Sequence, residues 1–577
     1  HSGAGKSNMA ESLEFIAGLT NRITNPNENA KISNSLTLHT VEYQSLKFHF
    51  IDIPGYSDFF GELESGLSAT DGAIIIVDGT TDLSVGTETA LELADSRNIP
   101  RFIFVNKIDS EKADYEKIIT QLRDKYGKRI APFHVPWGKA ESFKGHINVV
   151  DMFAREFNGT ECQNATMPDN MDDEIVPIRE MLLEAVAETS EDLMSKFFNG
   201  EEFTTAEIHK GLREGVLSCD IIPVICGSTF KNIGLNTTLD IVREYLPAPK
   251  DNPKVNAEKS EFVCQIFKTN IDSFLGKVSY AKVLSGELKP DSEIYNINKK
   301  TKERVGKIYT LINNKIEELQ KAVYGDIILF TKFIETQTSD TLSSSEKETI
   351  VKNITFPKPQ MLVAVEPLNK SDEEKFSTGL QKLMEEDPSF TWNRNIETGQ
   401  TVIGVQGELH SSTLIEKLKS KFGIDVKVIN LKVPYRETIK GSSDVQGKYK
   451  KQSGGHGQYG DVKIKFSYID NEHFLFESIV VGGNVPKSYI PAVEKGLRES
   501  MNRGVLAGFP ATNIKAVLYD GSYHDVDSSE MSFKIAANLA FKKGMEEANP
   551  VLLEPIMELT IITPEEYVGD IMGDINK

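Results

Sequence analysis

Residues 1–7, His1-Ser2-Gly3-Ala4-Gly5-Lys6-Ser7, carry most of the motif that decides the fold of the first part of the chain. With one glycine before His1 they would complete GxxxxGK[ST], the phosphate loop, whose backbone N–H groups cradle phosphates. In that motif Lys6 reaches the β- and γ-phosphates, and the hydroxyl of Ser7 binds Mg²⁺. A glycine-rich turn that merely precedes a helix is the alternative explanation, so companion motifs must decide.

Three companion motifs follow strand-like apolar runs, in the order that a nucleotide site requires. Asp52-Ile53-Pro54-Gly55 would place a carboxylate near the metal and the Gly55 N–H near the γ-phosphate. In Asn106-Lys107-Ile108-Asp109, the Asp109 carboxylate can accept from both guanine N1–H and N2–H₂, a pattern that adenine does not offer. Ser228-Thr229-Phe230 completes a base-binding loop. Because ligands bind at the carboxyl ends of strands in a doubly wound sheet, the four motifs together predict a guanine-nucleotide site.

Short apolar runs separated by helical lengths indicate an α/β domain with buried parallel strands. These runs are 48–52, 73–77 and 102–105, and a further strand is predicted at 221–225. Residues 174–217 are predicted to be helical, and Thr204 with Glu207 forms a capping box that predicts a helix start. The proline-rich stretch 245–249 predicts the end of this unit.

The pattern changes after this unit. From about 260 to 340, short strands with turn signals predict a β-barrel, and the polar stretch 339–350 predicts a linker or loop. Residues 358–430 alternate strand and helix in the manner of a split βαβ sandwich. Residues 431–555 mix strands and helices again, and apolar residues at helical spacing predict a helix over 489–503.

Bulk composition narrows the class of protein. At 577 residues the chain is too long for one core, and usual domain sizes predict about four or five units. It has no membrane-length apolar run, no signal peptide and four scattered cysteines, which together predict a cytoplasmic protein with free thiols. A net charge of −20 argues against a protein that coats nucleic acid over its whole surface, but leaves room for basic patches. The sequence begins inside a loop motif and stops just after the predicted start of a new unit, so we expect it to be a fragment of a longer protein.

Eight motifs extend over almost the whole chain. They are Asp52-Ile-Pro-Gly-Tyr-Ser-Asp-Phe59, Asn106-Lys-Ile-Asp109, Cys226-Gly-Ser-Thr-Phe-Lys-Asn232, Phe274-Leu-Gly-Lys277, Ser285-Gly-Glu-Leu-Lys289, Gly454-Gly-His-Gly-Gln-Tyr-Gly460, Gly521-Ser-Tyr-His-Asp-Val-Asp-Ser-Ser-Glu530 and Pro564-Glu-Glu-Tyr-Val-Gly-Asp570. In these motifs the sequence resembles elongation factor G and its paralogues. The later motifs are more specific than the nucleotide motifs, because few other families share them.

The resemblance implies a multidomain α/β and α+β fold. It implies a P-loop GTPase domain, a translation-factor β-barrel, ferredoxin-like domains and an α+β arm of the domain-IV type. The implied divisions are a G domain over 1–250 with an inserted subdomain near 125–220, the barrel over 255–345, domain III over 355–430, domain IV over 431–555 and the start of domain V over 556–577.

One departure from the main elongation factor pattern lies beside the reacting phosphate. Those factors carry a His after DxPG that positions the attacking water, whereas this chain has Tyr56. A phenol with a pKa of about 10 is a poor proton acceptor, so slowed rather than abolished hydrolysis is predicted, with Lys6 and Gly55 as the other catalytic residues. Tyr56 either orients water or only packs.

A second departure lies in the first switch region, which is short and polar over 25–31 and lacks the usual Thr that binds Mg²⁺. Ser33 falls nearest to that place. It is either a third metal ligand beside Ser7 and Asp52 or only a loop serine. As the resemblance implies, both departures also occur in a branch of factor-G-like paralogues, where this chain is placed.

Residues 432–451 are locally basic in an acidic protein. Six basic residues stand against two acidic ones, a local charge of +4, and the glycine-rich segment 453–459 follows at once. Basic charge beside a flexible, aromatic-bearing loop suits RNA, although a solvated charged face is the alternative. The candidate RNA contacts are Lys448, Lys450, His456 and Tyr459.

A second loop of the arm, Gly521-Ser522-Tyr523-His524, precedes a helix whose N-cap and third residue are predicted to be Asp527 and Glu530. The resemblance implies that this loop, with Ser522 and His524, is the tip that enters the decoding site beside the tRNA–mRNA duplex. The alternative is an exposed loop histidine without a role.

These observations lead to one hypothesis and two alternatives. The hypothesis is an elongation factor G-like monomer that binds the ribosome and its RNA, hydrolyses GTP to GDP with Mg²⁺, and promotes tRNA–mRNA translocation. A ribosome-protection or recycling factor is the first alternative, which the short tip loop 521–525 disfavours. A poorly hydrolysing ribosome-binding regulator is the second, suggested by Tyr56 and the shortened switch.

Overall fold

The computed structural model describes ten ranges of the chain. They are residues 1–20, 33–159, 161–168, 171–252, 261–272, 274–312, 315–347, 350–452, 457–563 and 565–577. They form two compact units, one of His1–Arg394 with Thr401–Asn430 and one of Asn395–Gln400 with Leu431–Lys577. Within the described ranges, no helix combines the length and the hydropathy that a membrane span needs.

The first unit opens with an α/β domain that contains a separate inserted sheet. Its elements are α1 (Lys6–Ile16), β1 (Thr37–Tyr43), β2 (Leu46–Asp52), α2 (Phe60–Ala69), β3 (Ala73–Asp78), α3 (Val85–Ser96), β4 (Arg101–Asn106), α4 (Tyr115–Tyr126), β5 (Ile130–Pro132), β6 (His134–Trp137), β7 (Gly145–Asn148), β8 (Phe153–Phe157), β9 (Cys162–Ala165), α5 (Asp172–Ala187), α6 (Glu191–Phe198), α7 (Thr205–Leu217), β10 (Ile222–Cys226) and α8 (Leu235–Tyr245). The main sheet is parallel, with the strand order β3-β4-β10-β5.

Strand β4 shows why the strands of this sheet have continuous apolar sequences. All six of its residues are buried. Phe102 and Phe104 point into a core with α1 and α8, whereas Ile103 and Val105 point into a second core with α3 and α4. A parallel strand covered by helices on both faces needs apolar residues at every position. The α/β fold class predicted for this part is therefore confirmed.

The inserted part combines a four-stranded antiparallel sheet with three helices. The sheet has the order β6-β7-β8-β9. Helices α5 to α7 confirm the helical prediction for 174–217. The capping box is also confirmed, because the Glu207 N–H donates to Thr204 Oγ1 and the Thr204 N–H donates to Glu207 Oε2.

The pairing predicted for 48–52 was wrong. These residues lie in β2, but β2 pairs antiparallel with β1 in a separate two-stranded sheet. Gln44 and Ser45 join the two strands with φ of 49° and 64°. Two consecutive residues in the left-handed region form the tight turn of a hairpin, and a hairpin makes its strands antiparallel. β1 was not predicted because polar residues interrupt its apolar ones.

A β-barrel-class domain follows in the first unit. Its strands are β11 (Val263–Asp272), β12 (Gly276–Ser285), β13 (Glu287–Leu288), β14 (Glu293–Asn296), β15 (Thr301–Arg304), β16 (Ile308–Ile312), β17 (Lys315–Leu319), β18 (Ala322–Val323), β19 (Ile327–Thr331) and β20 (Thr341–Ser343). Eight of them form one antiparallel sheet in the order β15-β14-β20-β11-β12-β19-β16-β17. The sheet encloses a core that includes Phe262, Ile266 and Phe330. The predicted barrel class is confirmed.

The linker or loop predicted over 339–350 was partly wrong. Residues Thr341–Ser343 form β20, which pairs with both β11 and β14 inside the large sheet. Leu342 is fully buried in the barrel core. A three-residue strand with one apolar side chain gives no periodic signal, so its polar neighbours hid it.

The first unit ends in a small α+β domain. Its elements are β21 (Met361–Pro367), α9 (Glu373–Glu386), β22 (Thr391–Arg394), β23 (Thr401–Val405), α10 (Glu408–Phe422) and β24 (Val426–Ile429). The antiparallel sheet has the order β22-β23-β21-β24. This βαββαβ arrangement confirms the predicted ferredoxin-like class.

The second unit is an antiparallel-rich sheet backed by two long helices. Its elements are β25 (Arg436–Ile439), β26 (Ser442–Lys451), β27 (Gln458–Tyr468), β28 (Phe474–Ser478), α11 (Ile490–Ser500), β29 (Ile514–Ser522), α12 (Glu530–Glu547), β30 (Pro550–Leu553) and α13 (Val568–Ile575). The sheet has the order β26-β27-β29-β28. Phe466 of β27 packs edge-on against Phe541 of α12 in the core. α11 confirms the predicted helix but ends three residues before 503.

Candidate functional site

The phosphate-loop motif lies at the start of α1. Gly5 precedes the helix with φ of 103°, a conformation that favours glycine. Lys6 Nζ donates to the His1 carbonyl at 2.7 Å, so its side chain folds across the loop. Burial lowers the pKa of Lys6, and the Asp52 carboxylate opposes that shift. A left-handed glycine before a helix N-terminus, with an ammonium over the loop, is the arrangement that binds phosphates.

The DxPG segment packs directly on this loop. A Cβ added at Gly55 would meet Lys6 Nζ and the backbone of Ser2 and His1. Any larger residue at position 55 would therefore push the two motifs apart. The structure thus brings together Gly55 and Lys6, the two residues that the sequence predicts to contact the γ-phosphate.

Two oxygen ligands suited to Mg²⁺ meet at the same place. Ser7 Oγ donates to Asp52 Oδ2 at 2.6 Å. In the described ranges no group of three or more His, Cys, Asp or Glu side chains could hold a metal. Mg²⁺ keeps several waters and binds through one or two carboxylates and substrate phosphates, so the pair fits that ion. No hydrogen bond joins Ser33 to either residue within the described part, and 25–31 lie outside it.

Asn106 joins three motifs into one site. Its side-chain Nδ2 donates to the Ala4 carbonyl at 2.7 Å and to Thr229 Oγ1 at 3.0 Å. The Thr229 N–H donates back to Asn106 Oδ1 at 2.9 Å. Asn106 is buried, so these hydrogen bonds are shielded from water. Asn106 therefore holds the phosphate loop and the base loop in a fixed relationship.

The remaining base-recognition residues follow the carboxyl ends of β4 and β10. Asp109 has Lys231 Nζ at 4.0 Å, and its carboxylate is partly exposed. Lys107 has φ of 64° and its Nζ lies 2.5 Å from Asp78 Oδ2. Ser228 Oγ accepts from the Lys231 N–H at 3.1 Å, which shapes the loop. The Phe230 ring is 63% exposed and is free to cover a base.

Tyr56 lies between the phosphate loop and the start of α2. Its carbonyl accepts from the Phe59 N–H at 3.0 Å, which closes a tight turn. The ring is 40% exposed, so it does not fill a core. No hydrogen bond of its hydroxyl is found among the described residues. Its hydroxyl is therefore available to solvent.

The second unit brings four predicted arm residues together. The Tyr459 hydroxyl lies 2.7 Å from Ser522 Oγ. Lys448 Nζ lies 5.5 Å from the centre of the Tyr459 ring, and the His524 ring lies 6.4 Å from it. Lys450 is paired with Tyr459 on the neighbouring strand. His456 lies outside the described residues.

The helix cap predicted beside this cluster was wrong. α12 begins at Glu530, and its N-cap is Ser529, whose side chain accepts from the Ser532 N–H. Asp527 instead accepts from the Gly457 N–H at 2.9 Å and lies 3.5 Å from His524 Nδ1. Asp527 lies two positions before the N-cap and does not accept from the helix amides, and its carboxylate instead connects Gly457 with His524.

Asp461 is a member of the cluster that the motifs did not single out. Its carboxylate is buried, accepts from Ser522 Oγ at 2.7 Å and from Gln446 Nε2 at 2.8 Å. It also lies 3.5 Å from the Tyr459 hydroxyl. It stands next to the Gly454–Gly460 motif in sequence, but only the pairing of β27 with β29 places it beside Ser522.

The fold and the sites define a guanine-nucleotide-binding protein with an α+β arm that carries a local basic segment over 432–451. Family models match it in series: the elongation factor Tu GTP binding domain over 1–248, elongation factor G domain 2 over 261–345, domain III over 356–430 and domain IV over 431–549. The chain is 37% identical over 597 aligned positions to an elongation factor G-like protein of Thermotoga maritima, covering 100% of this chain and 87% of that one.

A solved structure gives the same result. The crystal structure of a protein from Thermus thermophilus superposes with a TM-score of 0.85 at 34% identity, covering 100% of this chain and 88% of that one. This chain therefore belongs to the elongation factor G family of translational GTPases. Guanine-nucleotide binding and GTP hydrolysis follow from that membership.

Proposed function

We propose that this protein is a ribosome-stimulated GTPase that promotes tRNA–mRNA movement, acting as a cytoplasmic monomer with Mg²⁺. The observation that carries the proposal is the cluster of Lys448, Tyr459, Ser522 and His524 at one end of the arm. These residues are spread over more than seventy positions of sequence, yet they form one basic and aromatic surface. Such a surface suits unpaired or splayed RNA, which proteins bind by phosphate attraction and stacking.

The nucleotide site supplies the driving reaction, in which water attacks the γ-phosphorus of GTP and GDP leaves with phosphate as the second product. Catalysis of this transfer depends mainly on positioning and charge stabilisation. Lys6 provides a positive charge over the loop, and the Gly55 N–H, which lies beside Lys6, would donate to the γ-phosphate. Mg²⁺, held by Ser7 and Asp52, would neutralise charge on the phosphate oxygens. Tyr56 follows Gly55 directly and is partly exposed, and in this proposal its hydroxyl orients the attacking water.

The arm is organised to present its side chains rigidly. Asp461 accepts from Ser522, and Ser522 in turn contacts the Tyr459 hydroxyl, so the aromatic ring is held from its polar end. The Asp527 carboxylate accepts from the Gly457 N–H just before β27 and also lies beside His524, so it connects these two segments. Ordered side chains lose little conformational entropy when they bind. Lys448 and Lys450 make no ion pair within the described ranges, which leaves both charges available to phosphates.

The nucleotide site and the arm act together in one cycle of GTP binding and hydrolysis. GTP binding orders the loops around Gly55 and Tyr56, the body binds the ribosome, and the arm tip contacts the tRNA–mRNA duplex. Hydrolysis then lowers the affinity for the ribosome. A protection or recycling factor is the second candidate function, and the short loop between β29 and α12 favours translocation over it.

Arm variants test the proposal. His524→Ala should slow messenger movement by about ten- to hundredfold, the loss of one or two polar contacts, while GTP hydrolysis stays within about twofold. Lys448→Glu with Lys450→Glu should weaken ribosome binding in a salt-dependent manner, because phosphate attraction is screened by salt. A toeprint assay beside phosphate release measures movement and hydrolysis together.

Lys543→Glu is the matched control, since Lys543 is an exposed lysine of α12, about 20 Å along the helix from Glu530. It should change neither movement nor salt dependence. Equal losses of hydrolysis and movement in His524→Ala would assign the loop a structural role only and would remove the support for translocation.

A further inference from the structure

Helix α10 begins without a cap of its own. Its N-cap position is Gly407, which has no side chain to accept from the first helical amides. A helix leaves its first N–H groups without partners inside the helix, and a Ser, Thr, Asp or Asn at the N-cap usually accepts from one of them. Gly407 has φ of −179°, which is extended backbone that any residue adopts, so backbone conformation does not require the glycine.

The missing acceptor comes from the nucleotide-binding domain. Asp58 Oδ2 accepts from the Leu409 N–H at 3.0 Å and from the His410 N–H at 3.2 Å, although Asp58 is 351 residues away from Leu409 in sequence. A Cβ added at Gly407 would overlap the Asp58 carboxylate. Position 407 therefore needs glycine because Asp58 occupies the space where an N-cap side chain would lie.

Neighbouring residues strengthen this contact. Phe59 meets the His410 ring edge-on, with centroids 6.1 Å apart. His410 is buried, and its Nε2 lies 3.0 Å from Asp387 Oδ2. The Gln406 N–H donates to His410 Nδ1 at 3.2 Å, which makes Nε2 the nitrogen that carries the proton toward Asp387. The His410 ring is therefore held from both sides against Phe59.

The start of α2 also packs closely on this domain. A Cβ added at Gly61 would meet Ser389 Oγ at 2.8 Å. Asp58, Phe59 and Gly61 thus all contact the β21–β24 domain, and they begin three residues after Gly55. The segment that positions Gly55 and Tyr56 cannot shift far while α10 keeps this cap.

We infer that Asp58 is a positioning residue for GTP hydrolysis. Through its contact with the N-terminus of α10, Asp58 links the positions of Gly55 and Tyr56 to the packing of that helix. The helix dipole of α10 favours the Asp58 carboxylate at the N-terminus of that helix. If the segment that contains Gly55 and Tyr56 moves, α10 loses this interaction. A nucleotide state that moves Gly55 therefore uncaps α10, and a docked α10 holds Tyr56 in place. This inference rests on the GTPase function and adds to it a residue whose carboxylate contacts α10.

The test separates helix capping from loop positioning. Asp58→Ala removes the cap and the link. Asp58→Ala with Gly407→Asp gives α10 an N-cap residue of its own but leaves the link broken, because the new carboxylate belongs to the helix. Gly407→Asp alone should act like Asp58→Ala, since its side chain takes the place of Asp58. Asp58→Asn keeps an acceptor oxygen and should show the smallest loss.

Hydrogen exchange at the Leu409 and His410 amides is measured with GDP and with a non-hydrolysable GTP analogue, beside kcat and KM for GTP. In the unaltered protein we expect exchange at these amides to differ between the two nucleotides. Asp58→Ala should speed exchange about tenfold, abolish the nucleotide difference and lower kcat about tenfold, with KM within about twofold. The double variant should restore slow exchange, but neither the nucleotide difference nor kcat.

Recovery of kcat in the double variant would overturn the inference, because Asp58 would then act only through helix stability. An Asp58→Ala protein with unchanged kcat would overturn it as well. The exchange difference does not depend on turnover, so it reports on the link even in a protein that fails to hydrolyse GTP.

Discussion

The ammonium of Lys268 lies 2.7 and 2.5 Å from the two carboxylate oxygens of Glu62, and both side chains are buried. Lys268 belongs to β11 of the barrel, whereas Glu62 belongs to α2 of the nucleotide-binding domain. Glu62 Oε2 also accepts from the Leu36 N–H at 2.8 Å, just before β1. One buried ion pair therefore connects the barrel with the segments on both sides of β1 and β2.

Removing Lys268 should destabilise this junction. Among the described residues, Lys268→Met leaves the buried Glu62 carboxylate with the Leu36 N–H as its one hydrogen-bond donor, and such a loss costs about 3–5 kcal/mol. The first transition in urea unfolding should therefore move to lower urea. Lys302→Met is the control, because Lys302 forms an exposed pair with Glu293 at 3.4 Å and should change the midpoint little. Equal midpoints for the two variants would mean that the buried pair does not stabilise the junction.

Base recognition should depend on the Asp109 carboxylate. Asp109→Asn replaces an acceptor by an amide that can donate to the C2 oxygen of xanthine, so preference should shift from GDP toward XDP. The loss of guanine affinity should be about 2–3 kcal/mol, as expected for a bidentate charged contact. Fluorescent nucleotide titration measures both affinities, with the exposed Asp124→Asn as control. A variant that still prefers GDP as strongly as the unaltered protein would remove Asp109 from the site.

The Tyr56 hydroxyl should contribute to the rate of hydrolysis. Tyr56→Phe keeps the ring but removes the hydroxyl that is proposed to orient the attacking water, so kcat should fall. Tyr56→His should leave kcat equal or higher, because imidazole is the better proton acceptor at neutral pH. Single-turnover phosphate release in the presence of ribosomes compares the three proteins. If the Phe variant hydrolyses GTP as fast as the unaltered protein, then Tyr56 is a packing residue.

The inserted domain should lose stability in acid. His134 of β6 and His146 of β7 stack with ring centres 4.0 Å apart and are fully buried. Burial, with the nearby Arg155, lowers the pKa of His146 to about 3, and burial lowers that of His134 as well. Because the folded state binds fewer protons than the unfolded state below about pH 6.5, stability is full above that pH and falls as pH drops toward 3.

The expected loss is about 1.4 kcal/mol per pH unit for each histidine that stays neutral when folded. Thermal unfolding of the full-length protein at pH 7.5 and 5.0 measures it. His134→Phe with His146→Phe keeps two stacked rings without the titrating nitrogens, so its transition should depend less on pH. A double variant with the same pH dependence as the unaltered protein would assign the effect to other groups.

The sequence predicted those parts of the fold in which a local residue pattern is compatible with only one structure. β4 was predicted because a strand buried on both faces must be apolar throughout, and the α7 start because Thr204 and Glu207 satisfy each other's backbone groups. The phosphate loop and the Asp52 segment were predicted from spacing, because both need glycine where the backbone must approach closely.

Contacts between distant segments could not be predicted. The Asp58 cap on α10 and the Glu62–Lys268 pair join residues hundreds of positions apart. The sequence around Asp58 or Glu62 contains no local pattern that indicates the distant partner. The Asp527 cap was wrong for a related reason. A carboxylate near a helix start can serve the helix or a neighbouring loop, and only the pairing of Tyr459 with Ser528 decides between them.

Phosphate release from GTP with and without ribosomes tests the central proposal most directly. The full-length protein should release phosphate from GTP at least tenfold faster with ribosomes than without, and Asp52→Asn should lose most of that rate because its charge and its contact with Ser7 hold the metal site. ATP should support no comparable release. Equal release with and without ribosomes, in a protein that binds GTP normally, would contradict the account.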